Sequence, residues 1–505
     1  MVTVFAGIER FLGFVYRIVL SRTLGGEGMG VYQIALSVFG VLVTLSASGI
    51  PVTVSRLISK CRAEGKIEKA HNIATAGMIM GLIISVSIVS VFYIFKDKLS
   101  FLFTDKEVMP IFYVMLPGLI LTTNYAVIRG VFWGNKDFPA YSIIELIEEF
   151  AMILIGIILV TNVTSVYQGA KRIALAMTLS YVLSFTLSLI VYFFKKGKLA
   201  SPKGQFRSIF SSSMPITSMR TTSSLLSSAI AVLLPLNLVK AGLTRKNALS
   251  KFGIATGMAL PILNIPATII SSLALVIVPE LSESYYKNNH KSLKSTTEKA
   301  LKFSVLFTLL IIPVFAILGE EMGVILYSSR EAGKFISLSS LIMLPMCLTL
   351  ISNSILNSLG EEKRTFIHFL IGGALLLISI IVLPNFCGIY SLSLGYGLCY
   401  LSSTILNLNL LNKKSKLKPQ YKKFTISCVI LSIPSIIIGK LLKNVLLTFI
   451  GLVPTFIICG ILQMVISLLL LLVFNVIDFD FLKIKKSKKS VRLKTRDFSF
   501  VINIF

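Results

Sequence analysis

The chain has 505 residues, of which 55% are hydrophobic and only 14% charged, and its formal net charge is +28. A soluble domain carries about a quarter charged residues, and the mean hydropathy of +0.85 says the same, so most of this chain is solvated by something other than water. The basic excess does not mark a nucleic-acid binder, because the lysines and arginines stand in short clusters between long apolar runs and face anionic headgroups.

A bilayer core of about 30 Å takes roughly 20 helical residues to cross. Unpaired backbone groups are too costly in hydrocarbon for anything but helix in such runs. The runs predict an all-α integral membrane protein of about fourteen spans. In chain order they are 3–21, 31–58, 72–95, 108–134, 140–161, 173–194, 209–239, 252–279, 303–319, 335–358, 366–384, 388–411, 424–442 and 447–476. The narrowest division is at Pro384-Asn-Phe-Cys-Gly388, a tight turn only.

Counted over the intervening loops, the even loops and the C-terminal tail hold 31 basic residues and the odd loops 14. That bias places the even loops and both termini in the cytoplasm. The segments 195–207, 413–423 and 483–496 carry most of it, and the loop at 240–251 opposes it.

With Lys440, near the end of the thirteenth span, counted with the loop beside it, the remaining five basic residues fall inside spans and all are arginines: Arg10, Arg17, Arg56, Arg129 and Arg220. An arginine at mid-membrane costs at least about 2.5 kcal/mol, so it faces protein or water. Its planar, permanently charged fork suits bidentate contact with phosphate. A cavity lined by these side chains suits a pyrophosphate. The competing reading is that they snorkel to an interface or pair with glutamates.

The membrane acids are Glu9, Glu145, Glu148, Glu149 and, at a span end, Glu280. Glu145 and Glu149 are four apart on one helix face, with Glu148 beside them. Close carboxylates in low dielectric are a device for coupling to a proton or sodium ion; they equally serve as counter-charges to the arginines. Among many prolines within spans, Pro51 and the pair Pro261 and Pro266, with Asn264 between, mark hinge candidates. Broken helices of this kind bind substrate and bend in transporters; a static kink is the plainer alternative. No cofactor or metal site is expected: there are six cysteines without a CxxC pair, three histidines, and no phosphate loop or GxSxG motif.

Two short segments recur about six spans apart. Gly130-Val-Phe-Trp-Gly-Asn-Lys136 is echoed by Asn357-Ser-Leu-Gly-Glu-Glu-Lys363, and Gly30-Val-Tyr-Gln-Ile-Ala35 by Lys251-Phe-Gly-Ile-Ala255. An even-span repeat preserves topology, so it implies two lobes related about the membrane normal. The expected divisions are 1–200 (spans one to six), 201–412 (seven to twelve), 413–482 (thirteen and fourteen) and a basic tail at 483–505.

Three runs carry a family resemblance: Arg10-Phe-Leu-Gly-Phe-Val-Tyr-Arg-Ile-Val-Leu-Ser-Arg22, Leu24-Gly-Gly-Glu-Gly-Met-Gly-Val-Tyr-Gln33 and Gly49-Ile-Pro-Val-Thr-Val-Ser-Arg56. They resemble the stage V sporulation protein B and polysaccharide export group of the MOP (multidrug, oligosaccharidyl-lipid, polysaccharide) exporter superfamily. Arg129-Gly-Val-Phe-Trp-Gly-Asn-Lys136 followed by Ile144-Glu145 is similar to the same group. The resemblance implies alternating access for an undecaprenyl-pyrophosphate-linked saccharide, lipid II or a polysaccharide unit. The setting it implies is the bacterial cytoplasmic membrane, in cell-wall, spore or polysaccharide synthesis. It implies membrane lipids as partners, no bond-making chemistry, and an essential arginine at Arg10, which matches the Arg-x-Leu-Gly-Phe motif of the sister MurJ-type flippases. The second span-one arginine of those flippases falls on Tyr16, with Arg17 one position on. Relative to the family the N-terminus is short, which implies residues missing before Met1. The alternative within the superfamily is a cation-coupled multidrug antiporter, whose cavity is expected to be apolar and acidic rather than arginine-rich.

Overall fold

In the computed structural model the described residues are 2–99, 103, 107–161, 163, 165–415, 420–474 and 476; the basic tail and part of the 413–423 loop lie outside them. Among them there is helix and no strand. The helices are α1 (Val2–Ala47), α2 (Ile50–Ala63), α3 (Ile67–Ile94), α4 (Val108–Gly134), α5 (Phe138–Val160), α6 (Val166–Phe194), α7 (Phe206–Lys240), α8 (Arg245–Gly253), α9 (Leu260–Leu263) and α10 (Ile265–Tyr286). They continue as α11 (His290–Tyr327), α12 (Arg330–Ser339), α13 (Met343–Ser358), α14 (Glu362–Val382), α15 (Pro384–Cys387), α16 (Tyr390–Ser415), α17 (Gln420–Ile450) and α18 (Leu452–Val473).

Eleven helical stretches are long and apolar enough to cross a membrane, and one of them, Gly7–Ala63, runs for 57 residues. Two further long helices fall outside the eleven. In α5 every long window contains Glu145, Glu148 and Glu149, and α16 is diluted by serine, tyrosine and asparagine.

Three expectations for single elements are corrected. The first two spans are not parted by a loop: the helix turns on Gly25 alone, at φ 62°, where a side chain would be strained. The second span is not continuous from 31 to 58, since it breaks at Ser48–Gly49 and restarts with Pro51 in the first turn of α2. Proline is well placed there because its missing N–H would be unpaired in any case. Lys440 and Lys443, counted with the turn after the thirteenth span, lie within α17, and Lys443 is half-buried.

The chain divides into two compact units, Met1–Met258 with Ile380–Ile389, and Ala259–Ser379 with Tyr390–Phe505. In the first, glycines let backbones meet, the usual device where lipid supplies no hydrophobic drive between helices. A methyl on Gly30 of α1 would lie 2.1 Å from the Leu249 carbonyl oxygen of α8, and one on Gly253 would lie 2.0 Å from the Gly26 oxygen. The two segments that echo each other in sequence thus pack on each other. Gly130 of α4 seats on Pro51 in the same way, with 2.5 Å between its would-be Cβ and the proline oxygen. Around this contact Ile50, Val54, Ile58, Ile73, Val127, Ile128 and Phe132 form a buried core.

In the second unit α11 packs against α12, α13, α17 and α18. Lys443 of α17 donates to Glu321 (3.0 Å) and to the Ile317 carbonyl (2.9 Å) of α11. Gln463 of α18 donates to the Ser435 oxygen atoms at 3.0 and 2.7 Å, and Ser435 meets Ser467 at 2.7 Å. These buried polar contacts fix the last two helices to α11 and to each other. The segment expected as span eight is irregular: α8 passes into a π-helical turn at Ile254–Ala259, and a break at Asn264 separates α9 from α10. Pro261 and Pro266 each stand in the first turn of the helix they open.

The sequence repeat has a backbone counterpart. Lys136 (φ 59°) ends α4 with Lys136 N–H donating to the Trp133 oxygen and Asp137 N–H to the Phe132 oxygen. Gly360 (φ 80°), 224 positions later, ends α13 with the same pair of bonds, Gly360 to Asn357 and Glu361 to Leu356. Both are left-handed helix caps of the Schellman type. Gly65 after α2 and Asn288 after α10 repeat the pattern.

Candidate functional site

All five intramembrane arginines belong to the first unit, on α1 (Arg10, Arg17), α2 (Arg56), α4 (Arg129) and α7 (Arg220), each inside a helix apolar enough to cross a membrane. The structure joins Arg129 to Glu145 of α5 in an ion pair whose side chains are 30% and 21% exposed. The guanidinium also lies over two rings of its own helix, 5.1 Å from Trp133 and 5.8 Å from Tyr125, at positions one turn to either side. Stacking plus a carboxylate is a strong arrangement for arginine. Arg129 Nε is nonetheless buried without a hydrogen-bond partner.

Glu9 of α1 lies within electrostatic reach of Glu145, Arg129 and Arg10, so these four make one cluster where α1, α4 and α5 meet. Glu148 and Glu149 extend it. Glu148 Oε2 is buried and unpartnered, with Tyr181 and Ser184 of α6 nearby. Glu149 packs against α1 at Gly13, where a methyl would come to 3.1 Å of its Oε1. Tyr16, at the position of the family's second arginine, is buried, with its hydroxyl unpartnered and set against Gly156.

The other arginines stand apart from this cluster. Arg17 is half-buried and near Tyr32. Arg220 is exposed and donates to the Ser48 carbonyl at 3.3 Å. It thereby sits at the α1–α2 break, where Gly49 lets α7 pass so close that a methyl would meet the Ser213 oxygen at 2.3 Å. Arg56 is exposed, and among the described residues Arg10, Arg17 and Arg56 make no ion pair. Pro51 directly follows the break that Arg220 touches.

Sequence reading missed the aromatic partners. Their signal was available: Tyr125, Arg129 and Trp133 recur at four-residue spacing and share a helix face. It also missed the Glu321–Lys443 pair, which lies near helix ends that were read as loop.

The second unit has a polar cluster of its own, and it is uncharged. His368 of α14 donates from Nδ1 to Asn407 Oδ1 of α16 at 2.7 Å. Asn407 Nδ2 donates to Asn353 Oδ1 at 2.7 Å and to Ser352 Oγ at 3.0 Å on α13. No group of three or more metal-ligating side chains is assembled among the described residues. A cavity of about 260 Å³ in the first unit is lined by Arg62, His71, Asn135, Asp137, Lys195 and Lys196, where the C-termini of α2, α4 and α6 meet. Three negative helix ends explain those basic side chains without an anionic ligand.

Against known proteins, the profile of the polysaccharide biosynthesis protein family matches residues 1–285. The chain is 24% identical to stage V sporulation protein B of Bacillus subtilis (strain 168) over 442 residues, covering 84% of this chain and 85% of that one. It is 21% identical to the lipid II flippase MurJ of the same organism over 474 residues, covering 87% and 86%. Its fold resembles a solved lipid II flippase MurJ in an inward closed conformation, with a TM-score of 0.75 at 15% identity over 95% of this chain and 99% of that one. It also resembles an inward-facing MATE multidrug transporter of the MOP superfamily, with a TM-score of 0.69 at 16% identity over 82% and 96%.

Proposed function

Because the chain belongs to the polysaccharide biosynthesis protein family, we propose that it carries an undecaprenyl-pyrophosphate-linked saccharide across the bacterial cytoplasmic membrane by alternating access. The observation that carries this reading is the set of arginines in membrane-spanning helices of the first unit, of which only Arg129 is paired with a carboxylate. Guanidinium groups at hydrocarbon depth are tolerated where they face water or an anion. The pyrophosphate engages Arg10, Arg129 and Arg220, with Arg17 and Arg56 along its path, while the polyprenyl chain stays in lipid. No bond is made or broken. Both termini lie on the cytoplasmic side, and an inside-negative potential favours outward movement of the anion by about 2.3 kcal/mol per charge per 100 mV. The fold is shared with lipid II flippase and MATE structures alike, so the charge of the site decides between them. A drug-cation antiporter is expected to have an apolar and acidic cavity, whereas here the acids are intermixed with arginines.

The test is reconstitution of the full chain in proteoliposomes with a fluorescent undecaprenyl-pyrophosphate saccharide, beside a drug-efflux assay on the same preparation. Flipping without efflux is expected. Efflux without flipping overturns the reading, and absence of both points to a scaffold that moves nothing.

A further inference from the structure

Glu145, Glu148, Glu149 and Glu9 are four carboxylates around two guanidinium groups, Arg129 and Arg10. The aromatic groups facing them are Tyr125 of α4, Tyr181 of α6, and Tyr16 and Tyr32 of α1. The cluster is not fully satisfied. Tyr125 is 4% exposed with an unpartnered hydroxyl, and Glu148 Oε2 and Arg129 Nε are buried without partners. Glu148 Oε2 and Arg129 Nε therefore have hydrogen-bonding capacity that the protein leaves unused. Glu145 is different. Its charge is matched by Arg129, and that match holds only while Arg129 points at it.

This creates a competition. Arg129 has one N–H committed to Glu145, and a pyrophosphate is the stronger bidentate partner. We propose that an anionic pyrophosphate ligand displaces Glu145 from Arg129, and that Glu145 takes up one proton from water as the ligand binds. The carboxyl O–H bond forms as an O–H bond of hydronium breaks and leaves water, and this proton offsets one of the negative charges that the ligand brings. Glu145 then faces Glu148 and Glu9, and the cluster's other guanidinium, Arg10, is engaged by the same ligand. No group of three or more metal-ligating side chains assembles there among the described residues. The inference rests on the arginine-binding reading above and adds to it a defined partner ion and a defined exchange.

The experiment is calorimetric titration of the solubilised full chain with farnesyl pyrophosphate, a sugar-free polyprenyl pyrophosphate, in paired buffers of different ionisation enthalpy. Work between about pH 7 and about pH 8.5 stays above the second ionisation of a phosphate, near 6. Wild type is expected to take up close to one proton per ligand, and its affinity to fall toward tenfold per pH unit. Glu145→Gln removes the competitor: it is expected to bind more tightly at the upper pH, with no proton uptake and a flat profile. Binding that needs Arg129 but takes up no proton overturns the exchange while leaving the arginine reading intact, as does affinity that follows sodium instead of pH. Affinity unchanged in Arg129→Ala, Arg10→Ala and Arg220→Ala defeats the arginine reading itself.

Discussion

Arg129 and Asn353 stand 224 positions apart, the same spacing that separates the left-handed turns at Lys136 and Gly360. They occupy matching places on α4 and α13, yet one sits in an ion pair and the other in a neutral hydrogen-bond network. Arg129 reaches Glu145 on the next helix; Asn353 reaches His368 on the next helix through Asn407. The scaffold is repeated and the chemistry is not. A neutral network whose donors and acceptors find each other is glue, satisfied within the unit. A charged pair beside unpartnered groups has capacity left for a ligand. On the proposed function, the anion belongs to the first unit and the second unit's cluster holds helices together.

The sharpest way to break that contrast is to remove the guanidinium. Arg129→Ala leaves Glu145 without its counter-charge. The expected cost is about 3 kcal/mol, the low end for breaking a buried pair because the site is partly exposed, and flipping per folded molecule should fall at least about tenfold. The double variant Arg129→Gln with Glu145→Gln restores neutrality, so thermal stability is expected to recover while flipping does not. Recovery of both would mean that the pair, like its counterpart, only holds helices together.

The counterpart is tested by Asn407→Leu. This removes the group that joins α13, α14 and α16 and strands Asn353 Oδ1 and the His368 Nδ1 proton. A loss of about 1–3 kcal/mol is expected from the unpaired buried groups. Flipping per folded molecule, measured at matched amounts of monodisperse protein, is expected to hold. A collapse of transport with intact folding would give the second unit a share of the substrate and end the division of labour.

Much of this was legible in the chain. Membrane class, helix succession, family and the five arginines follow from hydropathy, charge placement and short motifs, since lipid permits so few structures. The repeat was faint in sequence because it is kept as backbone conformation: at one turn the left-handed residue is Lys136 and at the other it is Gly360. The ends of helices were read poorly. Gly25 alone separates two helices, and Lys443 extends helix α17 into what composition made a loop, because burial against Glu321 offsets the charge. The grouping of the arginines was not legible at all. Distance along the chain does not reveal that Arg10 shares a cluster with Arg129, whereas Arg220 lies at the α1–α2 break.

The smallest expected effect tests the repeat where it meets water. At the two matching turns, Asp137 pairs with Lys195 at the end of α6, and Glu361 pairs with Lys414 at the end of α16. The Lys414 hydrogen bond holds the Glu361 carboxyl below its ordinary value; partial burial opposes this, and the charges of Lys414 and Arg364 add to it. A depressed carboxyl stabilises the fold at pH values above its unfolded value, about 4.3, and the contribution is lost as pH falls through the folded value. Glu361→Gln is therefore expected to lower stability at neutral pH by no more than about 1 kcal/mol, since the pair is near the surface and screened by salt. At pH below the folded value the variant and the wild type should melt together, because the carboxyl is then protonated in both states. Thermal melts of the two proteins across that range check this. A difference that persisted in acid would show that Glu361 acts by shape or by its backbone turn, and the two turns would then be alike in conformation only, not in the ion pair that each one carries.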